Sequence, residues 1–242
     1  MDTTVTNNIK KEKYFELRDI KKDFYDIFLL PIYIIQQLPS KVNSRILDIG
    51  CGHGQMLNAL KVKGYNNIFG IDISEESIAH CINLKLDVKK IDDIKNFTVD
   101  NEIEKFDFII MTHVLEHLEK NAVIETLIHI KNNLLINNGQ FLLAVPNAQA
   151  LTGTYWAYED FTHNNLFTAG SLSYVLRSAG FKNIIFLDID GLLNSKGIKK
   201  QIKKLLLNAF KKITKLVLDI TGASYHKPSP IIYTWEIKVI VN

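Results

Sequence analysis

The segment Arg45-Ile46-Leu47-Asp48-Ile49-Gly50-Cys51-Gly52-His53-Gly54 constrains this chain more than any other. Residues suited to a buried strand run straight into three glycines at alternate positions, and a helical pattern then continues to about Val62. Residues without a Cβ let the backbone turn tightly and approach a ligand closely. In open α/β sheets the ligand lies beyond the carboxyl ends of the strands, where the winding reverses. The next strand pattern, Asn67 to Ile71, leads to Asp72, 18 residues after Gly54. A carboxylate in that place can accept both hydroxyls of a ribose, so a nucleoside-containing ligand is expected. A dinucleotide is a poor match. Its Gly-x-Gly-x-x-Gly fingerprint would need the third glycine one residue later, and Asp48 adds negative charge where a pyrophosphate would lie. A cationic ligand suits the loop better.

The rest of the chain alternates between two periods. Short apolar runs at Asp87–Ile91, Phe106–Met111, Gln140–Val145, Asn183–Leu187 and Ile231–Val241 read as strands. Helical spacing covers Ala122–Leu135, and Ser74 and Thr168 can cap two further helices, the second ending at Gly180. Tyr14–Leu38 also has helical spacing, with Pro31 opening a second short helix. The polar residues 1–13 are expected to be loose. Alternating strands and helices predict a doubly wound α/β sheet of seven strands, mostly parallel, with helices on both faces.

Composition removes several alternatives. Of 242 residues 47% are hydrophobic and 23% charged, which excludes wholesale disorder. The longest apolar run, Phe28 to Ile35, is far shorter than the ~20 residues of a membrane span and contains Pro31. The start of the chain has no apolar signal core, and two cysteines, Cys51 and Cys81, make neither a disulfide framework nor a cysteine zinc site. A cytoplasmic protein is expected. Between Lys196 and Gly222 stand eight lysines and a single acid, Asp219, while the remainder is mildly acidic. That distribution argues against nucleic-acid binding. Within this segment Ile198, Ile202, Leu205, Ala209, Ile213, Leu216 and Ile220 form one apolar stripe. Two readings stand: a helix packed on its own domain or a second subunit, or peripheral contact of the 197–222 helix with the inner face of an anionic membrane.

The glycine segment, together with Gly70-Ile71-Asp72-Ile73-Ser74, Ile91-Asp92-Asp93-Ile94, Phe106-Asp107-Phe108-Ile109-Ile110, Val114-Leu115-Glu116-His117 and Val145-Pro146-Asn147, resembles the motifs of class I S-adenosylmethionine-dependent methyltransferases. The resemblance spans about residues 40–190 and implies a Rossmann-like sheet with a final antiparallel strand, and S-adenosylmethionine as cofactor. By position it implies that Asp48, Gly50, Cys51, Gly52 and Gly54 surround the methionine portion and that Asp72 holds the ribose. Ile73 would flank the adenine, Asp92 or Asp93 would bind its amino group, and Thr112 and His113 would line the cofactor from the fourth strand. Residues 1–40 then form an N-terminal helical extension and 41–242 the catalytic domain, with a basic insertion at about 191–229.

The long connection between Pro146 and Thr168 is a candidate acceptor loop. Tyr155, Trp156 and Tyr158 offer aromatic faces with polar tips, suited to a sugar, while Phe161 and Phe167 are expected to pack the loop on the sheet. Asp160-Phe161-Thr162-His163 and Phe167-Thr168 resemble methyltransferases of bacterial surface-polysaccharide synthesis, implying a carbohydrate or other small polar acceptor. His163 is the first candidate for general base and His117, beside Glu116, the second. His113-Val114-Leu115-Glu116-His117 also matches a zinc-peptidase pattern, but it directly follows a strand, so no metal is expected. Two rival functions remain: a quinone-pathway or other small-molecule O-methyltransferase, and a non-catalytic nucleotide-sensing domain. Oligomeric state is not legible.

Overall fold

The structure, a computed structural model, describes residues 14–20, 28–100, 104–225 and 228–242. The 1–13 segment, expected to be loose, lies outside the described residues. In chain order the elements are α1 (Tyr14–Leu17), α2 (Ile32–Ile35), β1 (Ile46–Ile49), α3 (Gln55–Val62), β2 (Ile68–Asp72), α4 (Glu75–Asn83), β3 (Val88–Lys90) and β4 (Phe106–Thr112). There follow α5 (Val123–His129), β5 (Leu135–Pro146), α6 (Gly153–Glu159), α7 (Ala169–Ser178), β6 (Ile184–Leu187), α8 (Gly197–Thr221) and β7 (Glu236–Val241).

The seven strands form one Rossmann-like sheet in the order β3-β2-β1-β4-β5-β7-β6, with β7 antiparallel to both neighbours. The order reverses between β1 and β4, and that is where a crevice opens. All four β1 residues are buried because helices cover both faces, so strand alternation divides the core instead of exposing one side. Leu47, Ile49, Ile109 and Met111 belong to one apolar layer, and Ile46, Phe108 and Ile110 to the other.

Local chemistry sets most helix ends. Ser74 Oγ accepts from the Ser77 N–H, and Thr168 forms a reciprocal capping box with Ser171. Pro31 immediately precedes α2. Three expectations need correction. The helix expected to reach Leu135 leaves α geometry at Ile130 and finishes as a π turn. Strand β5 then begins at Leu135, not Gln140, through an irregularity opposite Phe106 and Phe108. Strand β7 begins at Glu236, not Ile231, because Asn147 Nδ2 donates to the carbonyls of Ile232 and Thr234, taking them out of any ladder.

A fourth correction concerns α8. The stripe Ile198, Ile202, Leu205, Ile213, Leu216 and Ile220 does not pack on the domain; all six are exposed. The half-buried positions are Leu207, Phe210, Lys211, Thr214 and Leu218, which at 3.6 residues per turn lie on the opposite side of the helix. That inner face is held by Phe210 against Tyr233 and by Lys211 Nζ on Asp190, 2.6 Å apart.

Candidate active site

The glycine loop is shaped by what surrounds it. Gly50 has φ +76°, and a Cβ there would fall 2.2 Å from Val114 Cγ2. Gly54, at φ +82°, would meet Leu86 and the buried Cys81. The loop is locked to β2 by Asp72, whose two oxygens accept the Gly52 and Ser74 N–H groups at 2.8 Å each. Burial pushes the Asp72 carboxyl upward against the lowering effect of those N–H bonds. Asp48 is pushed up to about 7, first by burial and then by the nearby Asp72 charge.

Beyond the loop lies a cavity of about 260 Å³. Gly50 and Asp72 line it, Ile73 and Ile94 supply apolar wall, and His113 and His117 also face it. The site fits S-adenosylmethionine: a glycine cradle, a buried carboxylate at the second strand end, flat apolar walls for a base, and Asp92 beyond them. Asp93 also lines the cavity, but its Oδ1 accepts the Lys95 N–H, which leaves Asp92 freer to meet an amino group.

The roof was not foreseen. Tyr14 and Phe15 of α1 line the same cavity. Phe15 packs on His53 with ring centroids 4.3 Å apart, and Tyr14 packs edge-on to His117 at 5.6 Å. Tyr14 and Arg18 both hold Asp160 Oδ2 at 2.6 Å. Burial alone would raise the Asp160 carboxyl; hydrogen bonds from Thr162 and Tyr14 outweigh it and hold the group at about 2.

Beside the cavity, β4 leaves the sheet through His113, at φ +56°, into a single 3₁₀ turn, Leu115–His117. The zinc-peptidase pattern is therefore not on a long helix. His113 stacks on Trp235 at 5.3 Å, and Trp235 packs on Trp156 at 4.9 Å. Burial would lower the His113 imidazole, but Glu116 and Glu236 beside it raise it to about 10. His163 reaches the same region from the acceptor loop, its ring 4.7 Å from that of His117.

Residues 25–184 match the model of a family described as a methyltransferase domain. The chain belongs to this family. Among curated relatives, the ubiquinone biosynthesis O-methyltransferase of Dechloromonas aromatica is 30% identical over 109 residues, 43% of this chain and 47% of that protein. Its counterpart from Pseudomonas aeruginosa is 28% identical over 130 residues, 52% and 54% of the two chains. The chain thus spans about half the length of the curated relatives it matches. A methyltransferase structure from Archaeoglobus fulgidus superposes with a TM-score of 0.65 at 19% identity, covering 94% of this chain and 97% of the other. Phosphoethanolamine N-methyltransferase 2 of Haemonchus contortus, in complex with S-adenosylmethionine, gives 0.61 at 12% identity, covering 95% and 59%.

In this methyltransferase domain the fold gathers Gly50, Asp72, Ile73, Asp92, Asp93, His113 and His117 around one cavity. Asp48, Cys51, Gly52 and Gly54 belong to the strand end and the loop but are not among the lining residues, nor is Thr112, which pairs with Ala144 in the sheet. His163 is brought to His117 behind the wall. Of the aromatic trio, Trp156 faces Trp235, but Tyr155 and Tyr158 are exposed on α6. Phe167 is buried as expected; Phe161 is 91% exposed and does not pack the loop. Besides Tyr14 and Phe15, sequence reasoning missed Trp235 and Glu236. Neither carries a local signal, since both reach the site only through β7.

Proposed function

We propose that this methyltransferase uses S-adenosylmethionine to methylate a hydroxyl of a small polar acceptor of sugar type in surface-glycan assembly. When bound, the cofactor supplies a methyl group on a sulfonium, ready for in-line displacement. The chain's own task would be to hold the acceptor hydroxyl in line with that methyl group and to offer a base for its proton. The observation that carries this reading is the His117–His163 pair, whose rings lie 4.7 Å apart and of which His117 lines the same cavity as Asp72. His163 Nδ1 donates to the Trp156 carbonyl at 2.7 Å, which leaves Nε2 as a proton acceptor. The aromatic surface of Trp156 and Trp235 supports a flat acceptor with polar edges.

A second reading, a phenolic quinone precursor as acceptor, is favoured by the curated relatives. Among the described residues no helix is long and apolar enough to cross a membrane. The outward stripe of α8, flanked by lysines, supports peripheral contact at the inner face, with the catalytic domain at 41–242 in the cytoplasm and residues 1–40 as an extension that includes its roof.

Transfer of a labelled methyl group to sugar and catechol acceptors tests the function. Product from a glycoside favours the first reading and product only from a catechol the second; His163→Ala should lower turnover by ~10²–10⁴ with cofactor affinity retained. Asp72→Asn should weaken cofactor binding by ~10–100-fold, the value of one charge-assisted bond. Absence of S-adenosylmethionine binding by the wild type would overturn both readings.

A further inference from the structure

The pairing of histidines in the fold is not the one the sequence pattern suggests. His113 turns toward Trp235 and Glu236, whereas His117 meets His163, which arrives from the acceptor loop. Hydrogen bonding fixes the tautomer of both. The Trp156 carbonyl can only accept, so His163 Nδ1 carries the proton. Thr162 Oγ1 spends its proton on Asp160 Oδ1 at 2.6 Å, so it accepts from His117 Nδ1 at 2.8 Å. Each ring therefore presents a bare Nε2 lone pair to the space between them.

Glu116 closes that space. Its side chain has no exposure, and neither carboxylate oxygen makes a hydrogen bond among the described residues. His113 Nδ1 approaches Oε1 only to 3.4 Å, while the other nitrogen of that ring faces Glu236 at 3.2 Å. His163 Nε2 lies 3.9 Å from Glu116 Oε1 and 3.8 Å from Asp160 Oδ2, beyond hydrogen-bond reach. One ligand atom from each of Glu116, His117 and His163 lies within 4.8 Å of the others. Three acceptor groups thus converge; the His113 imidazole, held protonated beside Glu116, reaches Oε1 only at 3.4 Å and leaves Oε2 without a hydrogen-bond partner among the described residues. Burying a carboxylate is costly unless a charge or donors answer it.

We propose that Glu116, His117 and His163 form a binding site for a divalent transition-metal cation. Two imidazoles and one carboxylate suit zinc, cobalt, manganese or ferrous iron, with bonds near 2.0–2.2 Å that small side-chain rotations can reach. The Trp156 carbonyl and the Thr162–Asp160 pair are the outer shell that orients the rings. Because His117 also lines the cavity, open positions of the cation face the acceptor. In that role, which rests on the O-methylation reading, the cation would hold the hydroxyl and ease its ionisation, whereas in the metal-free chain His163 Nε2 remains the group that takes the proton.

Chelator-stripped full-length protein titrated with Co²⁺ or Zn²⁺ decides the matter, by visible absorption and calorimetry respectively. One equivalent should bind. Affinity should fall by ~100-fold or more in Glu116→Gln and His163→Ala, and by ~10–100-fold in Thr162→Val, which loses only ring orientation. Retained S-adenosylmethionine affinity, measured without metal, shows that each variant is folded and reports separately on the function. Absence of saturable metal binding, or equal affinity in folded variants and wild type, overturns the site.

Discussion

Tyr14 donates its hydroxyl to Asp160 Oδ2 at 2.6 Å, joining residues 146 apart in the chain. Arg18, one turn along, holds the same oxygen and the Tyr14 hydroxyl. This contact fastens α1, which lines the cavity, to the 147–167 connection proposed to bind the acceptor, so the two segments are mechanically linked. Tyr14→Phe keeps the ring and deletes one bond to a charged acceptor, a loss of ~1.5–3 kcal/mol where it is fully expressed. Cofactor affinity should fall by up to ~10-fold, with KM for cofactor rising more than kcat falls. Calorimetry and steady-state kinetics on the variant measure both, and unchanged affinity would detach the roof from cofactor binding.

Gly50 and Val114 provide a second test of the loop. An added Cβ at Gly50 meets Val114 Cγ2 at 2.2 Å, and the residue would also have to hold φ +76°. Overpacking costs ~1–3 kcal/mol and a left-handed non-glycine residue ~1–2 kcal/mol. Gly50→Ala should therefore destabilise the protein by ~2–5 kcal/mol in denaturant melts. Val114→Ala in the same chain should return the packing part and leave the backbone part. If the double variant is no more stable than the sum of the single effects allows, the clash is not the cause.

Asp48 makes ligand-free stability depend on pH. Unfolded, it ionises near 3.8; folded, burial and Asp72 keep it protonated to about 7. Between those values the native state binds more protons than the unfolded state, so this contribution to stability falls as pH rises, then levels off above about 7. The slope is at most ~1.4 kcal/mol per pH unit. Asp48→Asn should gain stability over wild type, by an amount that grows from pH 5 to pH 7 and is flat from pH 8 upward. A gain that does not vary with pH would remove Asp48 as the source.

The parts legible in sequence are those with local causes. The β1 apolar run, the glycine turn, Asp72 at the end of β2 and the caps at Ser74 and Thr168 are each fixed by neighbours within a few residues. The roof was hidden because a helix as short as Tyr14–Leu17 has too little periodicity to read, and its position depends on Asp160 far along the chain. Trp235 and the His117–His163 pair were hidden for the same reason: sheet order and a long loop bring them together. On α8 the difficulty was different. Apolar residues occupy two opposite faces, Leu207, Phe210 and Leu218 as well as the longer stripe, and periodicity does not say which one turns inward.

That inversion shapes the last prediction. In α8 the face toward the domain is the shorter one, while Ile198, Ile202, Leu205, Ile213, Leu216 and Ile220 point away from it. Lys199, Lys204, Lys212 and Lys215 are exposed beside or between these residues. An apolar strip bordered by cations complements an anionic bilayer, where each lysine near the surface contributes ~1 kcal/mol, an effect that salt screens. The protein should therefore sediment with phosphatidylglycerol-containing vesicles at low salt, be released at high salt, and ignore neutral vesicles. Replacing Leu205 and Leu216 with Ser should weaken binding without lowering thermal stability, because both side chains are exposed. If the protein stays in the supernatant with either vesicle and ultracentrifugation shows a dimer that the same substitutions dissociate, the stripe is an interface between two copies and not a membrane contact.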